Sequence, residues 1–525
     1  SLLWNITDNW SATVALLAED NSSEGAWGDD ANLPEDQHAF FHKENRDDEW
    51  WNASLLIEGD LGFAQFVSST TYLDREITYE FDNMIYEQWK DSYFGVYYGF
   101  ALYNTEYTYG YLFNDQTQDR VSQELRLVSS TDSRFSWMVG AFYEEIEDKW
   151  LYGAVNDDLL DTVGWYYANY LAYYYSAYYD IQYPLTPTNL AYTQRLDRTT
   201  EQYALFGELT FEITDKWWVT GGARWFNWEQ DYIEQNQFPE GLPPFGSYPT
   251  NGVVTAKSDT DDIVYKLSTQ YFFNDDHMVY LLYSEGFRPG GTNTARAVSA
   301  GGLPPQFEPD FVNNYELGAK TEWFDNSLQV NLTLFYLDWK DRHFSVGTEE
   351  GQWWLRGTIN GDDAETTGLE VEVNWYATDN LVLTGNLTTL DAESDAGDPL
   401  PNSPELSYFL AADYTFPFEL FGGNLWTRID YAYGDEWWNS TGGAIDRDPD
   451  SLIPDWSNTN LQVGLTLPND WTLTAFVRNL TDERRINGRQ NNSYAADWFG
   501  VENYRIINFT QRPRHYGVSV RKTFY

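Results

Sequence analysis

The chain has 525 residues, no cysteine and a formal net charge of -51 at pH 7. These values exclude a disulfide framework and a thiolate metal site. They also argue against nucleic acid as a partner, because phosphate binding needs concentrated Lys and Arg. No run of about 18 apolar residues occurs, so the sequence predicts no transmembrane helix.

Aromatic residues make up 18% of the chain and include 40 Tyr and 24 Trp. Both residue types favour places where one end of the side chain is apolar and the other is wet, as at a membrane–water interface. A soluble carbohydrate-binding β-sandwich rich in Tyr and Trp would have a similar composition. Composition therefore leaves a membrane barrel and a soluble sandwich open.

About nineteen segments alternate between apolar and polar residues with a period of two, which predicts β-strands. Most of them form pairs joined by short turns rich in Asn, Asp and Gly, residues that tolerate hairpin backbone conformations. In chain order the predicted turns are Thr7–Asn9, Glu58–Asp60, Ser130–Ser133, Thr214–Lys216, Asn274–Asp276, Asp325–Asn326, Thr378–Asn380 and Pro468–Asp470. The pattern predicts an all-β chain of antiparallel hairpins.

Long segments separate these hairpins, so the connections alternate between short and long. The long segments are Asp20–Glu49, Asn83–Gln116, Leu151–Arg198, Asn236–Ser258, Arg288–Asp310, Ser345–Glu365, Glu393–Pro404, Gly434–Trp456 and Asn487–Gln511. An outer-membrane β-barrel has this asymmetry, with short periplasmic turns and long extracellular loops. A sandwich has no reason to separate its connections by length.

Single strands also separate their residues by face. In the predicted strand Asn326–Phe344, Leu332 and Leu334 lie on one face, and Asn331 and Thr333 lie on the other. A barrel would turn the first face to lipid and the second to a wet lumen. A sandwich would bury the apolar face against a second sheet, so this pattern alone fits both.

Segments spread in order over most of the chain resemble TonB-dependent outer-membrane receptors. The most specific are VYLLYSEGFRPGG at Val279–Gly291, NYELGAKTEW at Asn314–Trp323, DWTLTAFVRNLTDERR at Asp470–Arg485 and the closing QRPRHYGVSVRKTFY at Gln511–Tyr525. Further matches are Gln123–Ser129 with Phe135–Glu145, Phe206–Trp225, Gly368–Asn374 and Asn402–Ser407, and the shared order and spacing of all these segments carry the resemblance. Two details depart from the family pattern: Tyr525 follows the usual terminal aromatic, Phe524, and Lys522 replaces an expected aromatic.

The resemblance implies a transmembrane antiparallel up-and-down β-barrel in the bacterial outer membrane, with residues 1–525 forming a single barrel with long extracellular loops. Family members close about 22 strands around an N-terminal plug domain preceded by a TonB box. The sequence predicts about nineteen strands, and none of its segments resembles a plug domain. We therefore expect the plug upstream of Ser1, and either the first strands there as well or additional strands within Asn83–Phe113 or Val163–Tyr192.

The resemblance also implies TonB-dependent import of a scarce large nutrient, most often a ferric siderophore or another iron chelate, without enzymatic activity or a cofactor. The implied partners are outer-membrane lipid and lipopolysaccharide, TonB, and the transported ligand, an iron chelate or a saccharide. Two alternatives remain open. One is a passive or plugless porin-like channel, and the other is a structural or interaction subunit of a larger outer-membrane assembly.

Candidate ligand-binding residues lie in the long segments. Tyr and Trp side chains have flat surfaces on which sugars or aromatic chelates can stack, and Arg binds anionic chelates. The candidates are Trp165, Tyr166, Tyr167, Tyr170, Tyr174, Tyr178, Arg288, Trp353, Trp354, Arg356, Trp437 and Trp438. Alternatively, the rings form an aromatic girdle or pack loop on loop. Because the loops contain little Arg and Lys, a neutral, cationic or sugar-like ligand is favoured.

No constellation predicts catalysis or a metal site. The motifs G-x-S-x-G and H-E-x-x-H and a Gly-rich phosphate loop do not occur. His38 and His42 lie four positions apart near Asp36 and Glu44, but this spacing suits a helix and the segment reads as an irregular loop. Acidic blocks such as Asp446–Asp450 are interpreted as solvated loops, with divalent-cation binding as the alternative.

Overall fold

The computed structural model describes residues 1–25, 28–35, 37–38, 40–82, 110–130, 133–156, 173, 177, 189–237, 253–294, 297–298, 302–347, 356–439, 451–468, 470–491 and 506–523. Within these ranges, no helix has the length and hydrophobicity needed to cross a membrane.

The strands of these ranges, in chain order, are β1 (Leu2–Thr7), β2 (Trp10–Ser23), β3 (Gly28–Asp30), β4 (Asn45–Asp60), β5 (Ala64–Asp82), β6 (Gly110–Ser129), β7 (Phe135–Asn156), β8 (Leu190–Thr214), β9 (Trp217–Gln237), β10 (Val253–Asn274), β11 (His277–Arg288), β12 (Gly291–Thr292), β13 (Gln306–Phe307), β14 (Asp310–Trp323), β15 (Leu328–Lys340), β16 (His343–Gly347), β17 (Arg356–Asn360), β18 (Ala364–Thr378), β19 (Leu381–Ser394), β20 (Leu406–Leu420), β21 (Gly423–Gly434), β22 (Trp437–Trp438), β23 (Leu452–Ile453), β24 (Trp456–Thr466), β25 (Trp471–Arg478), β26 (Ile486–Asn491), β27 (Ile506–Thr510) and β28 (His515–Lys522).

Nineteen of these strands form one antiparallel sheet in which each strand pairs with the next sheet strand along the chain. This confirms the predicted number and order of strands. Short turns connect the strands at one end of the sheet, here called the turn end, and long connections lie at the opposite end, the loop end. The nine short strands form four small sheets at the loop end.

The first and last strands are the edges of this sheet. Among the described pairings, β1 pairs only with β2 and β28 only with β25. Several of their side chains are among the most exposed of the wall: Trp4 is 64% exposed and Tyr516 is 83% exposed. Because the number of antiparallel strands is odd, β1 and β28 run in the same direction.

Several strands extend far beyond the roughly 10 residues that a membrane crossing needs. Strand β7 has 22 residues and β8 has 25, and both enter the segment Leu151–Arg198 that the sequence predicts as a loop. That loop boundary is wrong because both faces of a strand are wet beyond the membrane. The period-two alternation on which the prediction depends is then no longer required.

One predicted turn is also misplaced. The segment Glu58–Asp60 belongs to β4, and the chain turns at residues 61–63, where Gly62 adopts a φ of 83°. Gly59 has a different role, because a Cβ at this position would lie 2.5 Å from Cε3 of Trp10. The glycine that looked like a turn residue makes room for an indole on the neighbouring strand.

The face of the wall that carries exposed leucines has aromatic rings at two levels. The pairs Phe135 and Tyr143, Phe211 and Tyr203, Trp217 and Trp225, and Trp323 and Tyr315 each lie eight positions apart on one strand. Between the levels, Leu205, Leu209, Leu317 and Leu334 are 48–58% exposed. Eight positions span about 27 Å, which a strand tilt of about 40° reduces to roughly 21 Å. This is close to the apolar band of about 25 Å around an outer-membrane barrel.

The opposite face of the strands is polar. Lys320, Asn331, Glu372 and Asn386 form one cross-strand row from β14 to β19, and the Asn331 amide donates to the Glu372 carboxylate at 3.2 Å. The neighbouring outward positions Leu332 and Leu334 carry exposed apolar side chains. The predicted separation of faces is therefore confirmed.

Candidate functional site at the loop end

The aromatic level nearer the loop end marks the boundary of the apolar band on the outward face of the wall. Hydroxyl groups of its tyrosines donate to carboxylates on the same or neighbouring strands: Tyr143 to Glu145 at 2.6 Å, Tyr203 to Glu201 at 3.1 Å and Tyr336 to Glu365 at 2.8 Å. An apolar ring whose hydroxyl is held by an ionised group suits a membrane–water interface. These tyrosines form a girdle, and the loop end begins above them.

Most of the predicted ligand-binding residues lie outside the described ranges. These are Trp165, Tyr166, Tyr167, Tyr170, Tyr174, Tyr178, Trp353 and Trp354. The backbone of Arg356 pairs with Gly347 in the β16–β17 hairpin, and its side chain lies outside what the structure describes. Arg288, Trp437 and Trp438 are the candidates whose side chains are placed.

Arg288 ends β11 and forms an ion pair with Asp310, the first residue of β14. Its Nε lies 3.0 and 2.9 Å from the two carboxylate oxygens of Asp310, and Nη2 also donates to Oδ2. Asp310 is 1% exposed and accepts further hydrogen bonds from Trp339 Nε1 and the His343 amide, each 3.1 Å long. Burial alone would raise the pKa of Asp310, but these donors hold it below its usual value.

This ion pair joins two strands at the rim of the lumen. Arg288 and Asp310 are register partners, and they lie on the same face of the sheet as Trp339 on β15. The Arg288 side chain remains 49% exposed. Its bonds to Asp310 give it a structural role, and only the remaining edge of the guanidinium faces solvent.

Trp437 and Trp438 form the short strand β22 in a loop-on-loop contact. They pair with Ile453 and Leu452 of β23, and the Trp438 carbonyl accepts the amide of Asn402 at 2.9 Å. Ile453 is fully buried and both indoles are partly buried. The rings therefore contribute to packing between loops and keep part of their surface open.

His38 and His42 do not meet as metal ligands among the described residues. His38 stacks on Phe40, whereas His42 stacks on Tyr111 at 4.1 Å and contacts the Glu80 carboxylate at 2.8 Å. In the parts of the chain that are placed, no group of three or more His, Asp or Glu side chains could hold a metal ion. Asp36 lies outside those parts.

A three-stranded sheet joins the first and last loops of the wall, which the sequence did not predict. Strand β27 pairs with β26 of its own loop and with β3 of the first loop. Asp29 of β3 is 2% exposed and forms an ion pair with Arg484. Asn508, the register partner of Asp29, is also buried. We call β3, β26 and β27 the clasp.

A family model described as TonB dependent receptor-like, beta-barrel, matches residues 3–480 of this chain. The pesticin receptor of Yersinia pestis is 29% identical over 177 residues, which is 34% of this chain and 24% of that receptor. The probable TonB-dependent siderophore receptor PiuA of Acinetobacter baumannii is 21% identical over 353 residues, 62% of this chain and 43% of that receptor. The matches thus span less than half of these relatives.

Solved structures have the same fold. The ferric yersiniabactin uptake receptor FyuA from Yersinia pestis superposes with a TM-score of 0.72 at 16% identity, covering 98% of this chain and 68% of that one. The ferric-catecholate import receptor Fiu from E. coli superposes with a TM-score of 0.67 at 14% identity, covering 99% and 73%. This likeness shows that the nineteen-stranded sheet has the fold of the barrel wall in these receptors.

Proposed function

The chain belongs to the family of TonB-dependent receptor-like β-barrels, and from that premise we propose that it is the wall of an active outer-membrane importer of a ferric chelate. The combination of an outward apolar band, a polar inner face and elaborate loops carries the proposal. Such a wall encloses a wet path, and its loops are placed to capture a ligand. Relatives named as siderophore receptors support an iron chelate over a saccharide.

The nineteen strands form the larger part of a barrel that further strands and a plug complete. The odd strand number supports this, because parallel β1 and β28 can join an antiparallel barrel only through an odd number of additional strands. Three would make a total of about 22, the number in large outer-membrane transporters. The exposed Trp4 and Tyr516 then become covered, and TonB acts through the plug. Lipid and lipopolysaccharide contact the outward face.

Uptake of labelled iron tests the proposal. The protein, with its upstream sequence, is expressed in an iron-starved host that lacks its own chelate receptors. Ferric complexes of a tris-catecholate, a trihydroxamate and citrate are offered with and without TonB. We expect uptake of at least one complex, and only in the TonB-containing host.

The same protein in planar bilayers tests the channel alternative. A closed, non-conducting protein agrees with a plugged importer. Steady conductance together with TonB-independent uptake would refute active import and favour a passive channel. Copurification of stoichiometric subunits, without uptake of any complex, would favour a role within an assembly.

A further inference from the structure

Arg342 has a nearly buried guanidinium that forms no hydrogen bond with any residue that the structure places. It lies at the loop end between β15 and β16, in the short break that begins at Asp341, whose φ is 53°. Its side chain is 6% exposed, and its Nε is buried without an acceptor. No ion pair to Arg342 is formed by any residue that the structure places. An uncompensated buried charge is costly, so such an arrangement calls for a reason.

The buried carboxylate closest to this arginine is already occupied. Asp310 accepts from Arg288, Trp339 and the His343 amide, and although it attracts Arg342 electrostatically it forms no hydrogen bond with it in the described structure. Asp363 accepts from Lys340 Nζ and from the Asp341 amide, each at 2.9 Å. Asp362 attracts Arg342 electrostatically, but it is exposed and forms no ion pair with it in the described structure.

Two aromatic rings fix the position of the guanidinium. Cζ of Arg342 lies 3.9 Å from the ring centroid of Phe344 and 5.8 Å from that of Trp339. Gly361 leaves space for the Phe344 ring, because a Cβ at position 361 would lie 2.0 Å from Cδ2 of that ring. A guanidinium held against a ring face directs its N–H groups sideways, along its own plane. The donors are thus oriented before any acceptor arrives.

The cluster lies on the lumen side of the wall. Trp339 and Asp310 lie on the inward face of their strands. The exposed, lipid-facing Leu334 and Tyr315 lie on the opposite face. Arg288 also lies over the Trp339 ring, with Cζ 4.7 Å from its centroid. Two guanidiniums therefore share one indole, and the buried Asp310, which attracts both, forms its ion pair with Arg288. A lipopolysaccharide phosphate, which contacts the outer side, does not reach this position.

We propose that Arg342 binds a pair of anionic oxygens, such as a carboxylate or catecholate group, of the chelate that enters the lumen. The planar N–H fork matches such a pair in a bidentate geometry that Lys cannot reproduce. This proposal deepens the proposed import function and depends on it for the identity of the ligand. It also reverses the preference for a neutral ligand that the scarcity of loop Arg and Lys suggested.

Oxalate, the smallest dicarboxylate, tests the site without transport. The purified full chain is heated in detergent with increasing oxalate, and unfolding is followed by tryptophan fluorescence. Wild type is compared with Arg342→Met, which keeps the stacked volume, with Arg342→Lys, which keeps the charge, and with Arg134→Met. Arg134 is an exposed arginine at the turn end, outside the cluster, so its replacement is the matched control.

We expect oxalate to raise the Tm of wild type and of Arg134→Met, with apparent affinity at least tenfold lower in Arg342→Lys and no shift in Arg342→Met. Without oxalate, Arg342→Met should unfold at or above the wild-type Tm, because it removes an unpaired buried charge. An oxalate shift that survives in Arg342→Met, or a Tm for that variant below wild type without oxalate, would overturn the proposal. Neither readout involves TonB or iron, so the outcome of the oxalate experiment does not depend on whether the protein imports a chelate.

Discussion

Arg484, in the last loop, and Asp29, in the first, form an ion pair that connects the two ends of the nineteen-stranded sheet. Asp29 is 2% exposed and Arg484 is 30% exposed. The β3–β27 pairing lies beside this contact, with Asp29 opposite Asn508. The clasp therefore joins the edges of the wall at the loop end, although β1 and β28 do not pair with each other in the described structure.

Removing one partner of this ion pair should weaken the wall. Arg484→Ala removes one charge partner of the buried Asp29 carboxylate, and breaking such a pair costs about 3 kcal/mol. The temperature at which the purified barrel loses its compact migration in detergent electrophoresis should fall. Lys43→Ala is the control, since Lys43 and Glu24 form an exposed pair, 74% and 79% accessible, in the same loop. Equal shifts for both variants would show that the buried pair has no special role.

Asp310 should make stability depend on acid. Its folded-state pKa is lowered, so its contribution is present above the unfolded pKa of about 4 and is lost as pH falls through the lower, folded value. Asp310→Asn should cost about 2 to 3 kcal/mol at neutral pH, with the loss limited because Arg288 can turn to solvent.

The measurement is the Tm from pH 6 to pH 2.5 for both proteins. The difference between wild type and Asp310→Asn should shrink towards the acid end. A difference that stays constant over this range would contradict a role for the ionised carboxylate. The Asp363→Asn variant is the control, because it weakens the partly exposed ion pair between Asp363 and Lys340. Its Tm over the same pH range indicates how much of the acid sensitivity comes from neighbouring carboxylates.

An arginine should destabilise the barrel at position 334 of β15 but not at the adjacent position 333. Leu334 is 48% exposed on the outward face, and an Arg there should cost about 2 to 4 kcal/mol in the bilayer. Thr333 faces the lumen beside its register partner Glu370, which is exposed. Thr333→Arg should therefore be tolerated. The amount of folded protein in the outer membrane distinguishes them, and similar yields for both would contradict the assignment of faces.

The contact between Gly59 and Trp10 predicts a compensating pair of mutations. Gly59→Ala places a methyl group against the indole and should destabilise the barrel by about 1 to 3 kcal/mol. Trp10→Ala in the same chain should recover most of that loss, because it removes the clashing ring. Thermal unfolding of the two single variants and the double variant measures the coupling. Additive losses would show that the glycine is needed for another reason.

Local patterns predicted much of the wall. The turns at Thr214–Lys216 and Thr378–Asn380 lie where expected, because turn residues act over a few neighbouring positions. The turn at Phe421 and Gly422, both with positive φ, was not predicted, although the Gly422–Gly423 pair is a turn signal. Of the ligand-binding candidates, only Arg288, Trp437 and Trp438 have placed side chains, and the binding role of all twelve remains a prediction.

The sequence by itself determined the strand number, the antiparallel order and which face of each strand is apolar, because period-two alternation and short turns are properties of neighbouring residues. Only the tertiary structure decided which arginines have partners. Arg288 is held by Asp310 from the next strand of the wall, Arg484 is held by Asp29 from the other end of the chain, and Arg342 stacks on aromatic rings without an ion pair to any placed residue. Ion pairing depends on distances between remote segments, and such distances exist only once the wall has formed.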